Sequence, residues 1–290
     1  MELKLGKLPA RIDSRTIKLS SIMRRELLPP LPDTYHIDEA LGGLEDNFMY
    51  ANNRYRCCVI SARAHQTLRF EKFEQGIQLP ITDDEVIAEY FHESGGADNG
   101  LYMLNSLKSW RKKGWRIGDK VYKIYAFAAI DWKNHDDVKH CIHLLGGVNL
   151  GMRVYQHDFD DFVANRPWDL NGNPSGEYIG GHAIYACAYG YDEADIEIMT
   201  WGKRQAMSWG FWDRRVDEAY GIVDNKNYWM AEDSPVDIEK LDAYLKLISM
   251  ENWSESNCPI AKAYADIGNY ISKLLRRKTR FKAIIGGQNG

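Results

Sequence analysis

The sequence has no apolar run long enough to cross a bilayer. The longest, "IYAFAAI", spans seven residues, against the roughly 20 that a membrane helix needs. Its start, "MELKLGKLPARIDS", carries early charges and a proline where a secretory signal has an apolar core, so it does not read as one. Neither sign of charge is in strong excess. A net charge of −4 gives no case for a membrane surface as partner and none of note for nucleic acid. Cysteine is scarce and odd in number (Cys57, Cys58, Cys141, Cys187, Cys258), and two of the five are sequence neighbours. That pattern excludes a disulfide framework and fits a reducing compartment with free thiols. There is no Walker loop, and "GGVNLG" is not a dinucleotide fingerprint. No cofactor is called for.

What is present suffices for a large core. The chain has 290 residues, and aromatics make up 12% with 17 Tyr and 9 Trp, so large rings should fill the core and line clefts. Residues 1–30 carry seven Lys/Arg against three acids and end in "LLPPLPD", whose prolines forbid regular helix. They read as an arm, either extended or docked on something, outside the compact core. Helices are expected in "CCVISARAHQTLRFEKF", from about Asp83 after the Thr82/Glu85 capping-box pair, and in "LYMLNSLKSWRKKG" up to Gly114. Strands are expected in "KVYKIYAFAAI" and "GGVNLGMRVY", with the helical "DDVKHCIHLLG" between them. "HAIYACAY" and "IEIMTW" should pair as a hairpin around "GYDEAD". The stretch 235–275 is helical again, and the last residues are Gly-rich. Helices first, strands later, then a helical tail is an α+β pattern. It divides into an arm (1–30), a central domain (31–232) and a C-terminal helical extension (233–290).

The chemistry starts with the thiols. Cys57 and Cys58 precede a helical pattern, so one of them should sit at a helix N-terminus, where orphan N–H groups and the dipole favour thiolate. A nucleophilic thiolate needs an imidazole beside it. His182 opens a strand after Gly180 and Gly181, which would let a substrate backbone approach. It follows Cys58 by 124 residues, near the spacing of ~130–150 between nucleophile and histidine in papain-like enzymes.

Five segments in order carry a resemblance: "LPPLPDTYHIDEAL", "NNRYRCCVISA", "IHLLGGVNLGMRV", "GGHAIYACAYG" and "TWGKRQAMSWGFW". Together, over roughly residues 30–215, the chain resembles the papain-like cysteine peptidases, most closely the divergent papain-like proteins encoded by bacteriophages. The resemblance implies a papain-like fold with a helical left subdomain and an antiparallel β right subdomain. It places Cys58 as nucleophile, His182 as its base, Asn52 as oxyanion donor and Trp201 as a supporting ring. It also implies a peptide or protein substrate, and it places the chain in a bacterial host's cytoplasm or a phage virion. The family's orienting Asn falls on Met199, which cannot hold an imidazole by hydrogen bond. The hairpin is one residue longer than the family's, so a bulge would bring Thr200 or Glu197 into that place. Two functions follow: a Cys–His hydrolase of peptide or isopeptide bonds, whole or degenerate, or a catalytically weak or inactive papain-fold component of a virion, contacting neighbours through its arm and C-terminal helices.

Other clusters weigh less. His135, His140, Cys141 and His143 have metal-compatible spacing, but an ordinary amphipathic helix accounts for them. "HDFDDF" (157–162) reads as a solvated loop, and the basic "KLLRRKTRFK" as a solvated helix end.

Overall fold

The computed structural model describes residues 3–170, 176–191 and 194–249. The second half of the tail expected to be helical, including Cys258 and the basic "KLLRRKTRFK", lies outside them. Strands are β1 (Tyr35–His36), β2 (Trp115–Ile117), β3 (Lys120–Tyr122), β4 (Ala126–Ala129), β5 (Val148–Tyr155), β6 (Tyr178–Tyr191), β7 (Ala194–Thr200), β8 (Lys203–Met207) and β9 (Val216–Val223). Helices are α1 (Ile37–Ala40), α2 (Cys58–Gln75), α3 (Asp83–Ser94), α4 (Met103–Lys112), α5 (His135–Leu144), α6 (Gln156–Val163), α7 (Trp209–Arg215) and α8 (Ile238–Ser249).

A seven-stranded antiparallel sheet runs β4-β9-β5-β6-β7-β8, with β1 also paired to β6, and β2–β3 form a separate hairpin. The sheet is one side of the molecule. Helices α2, α3 and α4 form the other, around a core that includes Leu68, Tyr90, Leu104, Trp110 and Trp115. Helix α2 starts at Cys58, is buried along most of its length, and packs against β6. Its buried charges are paired: Arg69 holds Asp38 and Asp46, and Arg63 holds Glu89 and Glu93. Buried ions persist only when matched in this way. The expected cap at Thr82 is present, with its side chain and that of Glu85 closing a capping box. This is the α+β arrangement expected from the sequence, with helices on one side and an antiparallel sheet on the other.

Three local readings differ. "KVYKIYAFAAI" is two strands, β3 and β4, in different sheets. "HDFDDF" is helical in α6, where Asp158 is buried against Arg215 at 2.8 Å and Asp161 pairs with Arg166. The solvated-loop reading missed both arginines, one five residues beyond Asp161 and the other far along the chain. The N-terminal arm, read as lying outside the core, is docked along the body and contributes to the core. Ile17, Leu19 and Ile22 are buried, Ala129 N donates to Ile17 O at 2.8 Å, and Asp237 N donates to Ile22 O at 2.7 Å. The arm's isolated apolar residues lack a period of their own because they fill gaps in a surface made by others. Residues 1–241 accordingly group as one compact unit and 242–290 as another.

Deleting residues 1–28 should therefore lower the thermal midpoint by roughly 10 °C or more, since several fully buried side chains are lost. Leu19→Ala alone should cost about 2–4 kcal/mol in urea unfolding. An unchanged midpoint after truncation would show that the arm is not seated in solution.

Candidate active site

Cys58 is the first residue of α2, and Cys57 before it is the N-cap. The Cys57 thiol donates to Tyr50 O at 3.3 Å and lies 3.6 Å from Ser61 Oγ, and burial pushes it up to about 12. It is a structural thiol. Cys58 Sγ instead accepts from Ala183 N at 3.4 Å, which brings it beside His182. The imidazole of His182 is buried, stacked on Trp201 with centroids 4.0 Å apart and planes 14° off parallel. Its Nε2 lies 2.6 Å from Thr200 Oγ1, and its Nδ1 has no hydrogen-bond partner. One ring nitrogen is thus anchored and the other left available, which is what a base beside a thiol requires.

A register shift puts Thr200 there. In β6 and β7, Ala188 pairs with Glu197, but Ala186 pairs with Ile198 and Tyr185 with Met199, so Cys187 is an extra residue. Continued without that bulge, the register would set Tyr185 opposite Thr200. His182 and Tyr185 are three apart and face opposite sides of the sheet, while paired residues share a side. The bulge therefore turns Met199 away from His182 and Thr200 toward it. Met199 packs with Ile37, Tyr185 and Cys187. Glu197 is engaged elsewhere, 2.9 Å from His36 Nε2 and 2.7 Å from Arg204. Of the two orienting candidates the structure brings only Thr200 to the histidine.

Asn52 is buried, and its Nδ2 donates to Lys4 O at 3.2 Å and Tyr55 O at 3.1 Å. It follows Tyr50 and Ala51, which have positive φ of 48° and 59°, and Trp201 after Thr200 has 44°. Residues other than glycine hold such backbone only where the surroundings enforce it, and they cluster at functional sites. Here both strained turns flank the thiol–imidazole pair.

No motif in the sequence marks what covers them. Residues 4–8 of the chain lie in the cleft as an extended strap. Lys4 exchanges backbone and side-chain hydrogen bonds with Asn52, and its carbonyl also accepts from Trp201 Nε1 at 3.2 Å. The Gly6 amide lies against the Cys58 sulfur, where it favours the thiolate. Lys7 N donates to Gly181 O at 3.0 Å, and Leu101 brackets the strap through Gly6 O at 2.8 Å and Leu8 N at 2.9 Å. The strap removes water from the site, and this reverses one expectation. Burial raises the Cys58 thiol above its ordinary value, outweighing the amides of Ala183 and Gly6 and the charge of Lys7 that favour thiolate. Burial likewise lowers His182 to about 3. The resting pair is neutral.

The histidines of α5 do not gather into a site. His135 pairs with Asp213, His143 packs on Tyr35, and Cys141 is buried. His36, Cys187 and Glu197 do place ligand atoms within 4.8 Å of one another. The Arg204 guanidinium hydrogen-bonds both His36 and Glu197, so this cluster already holds its cation. No helix among the described residues is long and apolar enough to cross a membrane.

The geometry has counterparts among solved structures. Xylellain, a cysteine protease from Xylella fastidiosa, superposes with a TM-score of 0.59 at 15% identity, over 77% of this chain and 97% of that one. Procathepsin B S9 from Trypanosoma congolense gives 0.54 at 12% identity, over 77% and 87%. A structure from work on the mite allergens Blo t 1 and Der p 1 gives 0.52 at 12% identity, over 72% and 75%. The fold is that of the papain-like cysteine proteases. No protein-family model matches the chain, and no curated protein matches it in sequence.

Two outcomes are expected. A Cβ at residue 6 would stand 1.8 Å from Arg56 O, so Gly6→Leu should unseat the strap and speed alkylation of Cys58 by iodoacetamide at least tenfold, with Cys57, Cys141 and Cys187 still protected. Equal rates in both proteins would mean an open cleft. The second concerns acid. His182 takes a proton near 6.5 when unfolded and near 3 when folded, so the unfolded state binds more protons below 6.5 and stability falls with pH through that window. Between pH 7 and pH 5, wild type should lose about 2 kcal/mol more than His182→Gln in denaturant titrations. A parallel loss in the two proteins would show a solvated imidazole.

Proposed function

We propose that this chain is a cysteine hydrolase that cleaves peptide or isopeptide bonds through Cys58, held latent by its own residues 4–8. The observation that carries this reading is the division of labour on His182: Nε2 is fixed by Thr200, Nδ1 has no partner, and the next residue along the strand, Ala183, donates its N–H to the Cys58 sulfur. Once the strap leaves, Nδ1 takes the thiol proton and the sulfur attacks the substrate carbonyl. The oxyanion that forms is stabilised by Asn52 Nδ2, which in the resting chain donates to the Lys4 carbonyl. Collapse expels the amine, which takes the proton from His182, and water then releases the acyl group from Cys58 by the reverse sequence. A threonine hydroxyl can fix the ring as the missing asparagine would, without adding a charge to stabilise the imidazolium.

Turnover of a fluorogenic peptide by Gly6→Leu tests this. Hydrolysis should vanish in the Cys58→Ala and His182→Ala backgrounds. It should fall about tenfold or more with Thr200→Val, because one buried hydrogen bond to the imidazole is worth roughly 1–2 kcal/mol. Met199→Asn should leave turnover no better, since that residue faces away. A Cys58 that stays inert after the strap is unseated would favour the other reading, a catalytically silent papain-fold component of a phage particle.

A further inference from the structure

Lys7 is the strap residue whose side chain goes deepest into the body. It is 1% exposed, and its Nζ lies 2.8 Å from Asp217 Oδ1 and 3.1 Å from Glu218 Oε1. Its hydrogen bond goes to Asp217 Oδ2 at 3.1 Å. Three carboxylate oxygens thus surround one ammonium, and a guanidinium's five donors would engage the same pair of acids. Its wall is Gly151, where a Cβ would lie 1.9 Å from Lys7 Cε. Tyr220 Oη donates to Glu218 Oε2 at 2.8 Å and fixes that carboxylate at the base. Glu218 is the inner acid, with a side chain 7% exposed, and Asp217 at 24% stands nearer the mouth.

The position of this slot relative to the chemistry is set by the backbone. Gly6 sits on the Cys58 sulfur, and Lys7, next in the chain, is held by Gly181 beside His182. Burying a lysine without partners costs several kcal/mol, and this slot supplies two carboxylates. When the strap leaves, both acids face the cleft.

We propose that the slot is a specificity pocket of the cleft. It selects peptide substrates that carry a lysine or arginine next to the residue seated on Cys58, and Glu218 is its main determinant. The inference rests on the hydrolase reading above. The strap's Lys7 then acts as a built-in competitor for the pocket it fills.

The test uses the full chain with Gly6→Leu, which unseats the strap, and Lys7→Ala, which empties the slot and keeps both acids. Fluorogenic peptides differing at one position at a time (Lys, Arg, norleucine or Glu) are compared by kcat/KM. Lys and Arg should exceed norleucine at least tenfold at one position, and adding Glu218→Gln should abolish that ratio. Asp217→Asn, at the more exposed acid, serves if Glu218→Gln disturbs the thermal midpoint. Equal or better use of norleucine, or a ratio indifferent to both substitutions, overturns the pocket and leaves Lys7 as an anchor of the strap alone. If no peptide is cleaved, the hydrolase reading fails by itself. The pocket is then judged by calorimetric binding of the same peptides to the Gly6→Leu, Lys7→Ala, Cys58→Ala chain, where equal affinities for Lys and norleucine would overturn it.

Discussion

A Cβ on residue 6 would collide with the carbonyl oxygen of Arg56, so the N-terminal chain settles onto the Cys58 sulfur only because residue 6 is glycine. Much of the site's chemistry depends on that contact. With Gly6 seated, Lys4 reaches Asn52 and Trp201, and Lys7 reaches Asp217 and Glu218. Water is displaced from both members of the pair. The helix N-terminus and the amides around Cys58 favour thiolate, but loss of hydration outweighs them, and the same loss keeps His182 neutral. One short segment thus blocks the cleft and keeps both the thiol and the imidazole uncharged.

The remaining geometry is set by one extra residue. The bulge at Cys187 exchanges the neighbour of His182 from Met199 to Thr200, and a register change of one residue is enough because strand side chains alternate. The strained backbones of Tyr50, Ala51 and Trp201 are held by a dense interior, since all three side chains are buried. Placing Asn52 and the stacking ring of Trp201 costs backbone energy, which the core around α2 offsets.

What the sequence disclosed follows from what is local. The start of α2 at the paired cysteines, the capping box at Thr82 and the β6–β7 hairpin rest on neighbouring residues, and each could be read directly. Cys58 and His182 were legible as a pair from their order and spacing within motifs. Thr200 was legible only as one of two choices, because a bulge of one residue leaves no compositional mark. The strap was not legible. Its residues, "LKLGKLPA", alternate weakly, and every partner they use lies far along the chain, at Asn52, Leu101, Gly181 and Asp217. The basic bias that suggested an outside surface is spent in part on this protein's own acids: Lys7 on Asp217 and Glu218, and Arg24 on Asp237.

The central claim is that residues 4–8 close the cleft in solution, and amide hydrogen exchange of the unmodified full chain at neutral pH reads it directly. The amides of Gly6, Lys7, Leu8 and Leu101 should exchange orders of magnitude more slowly than in an unstructured peptide, and their protection should collapse together in Gly6→Leu. Exchange of residues 4–8 at the free-peptide rate in the wild-type protein would contradict the account.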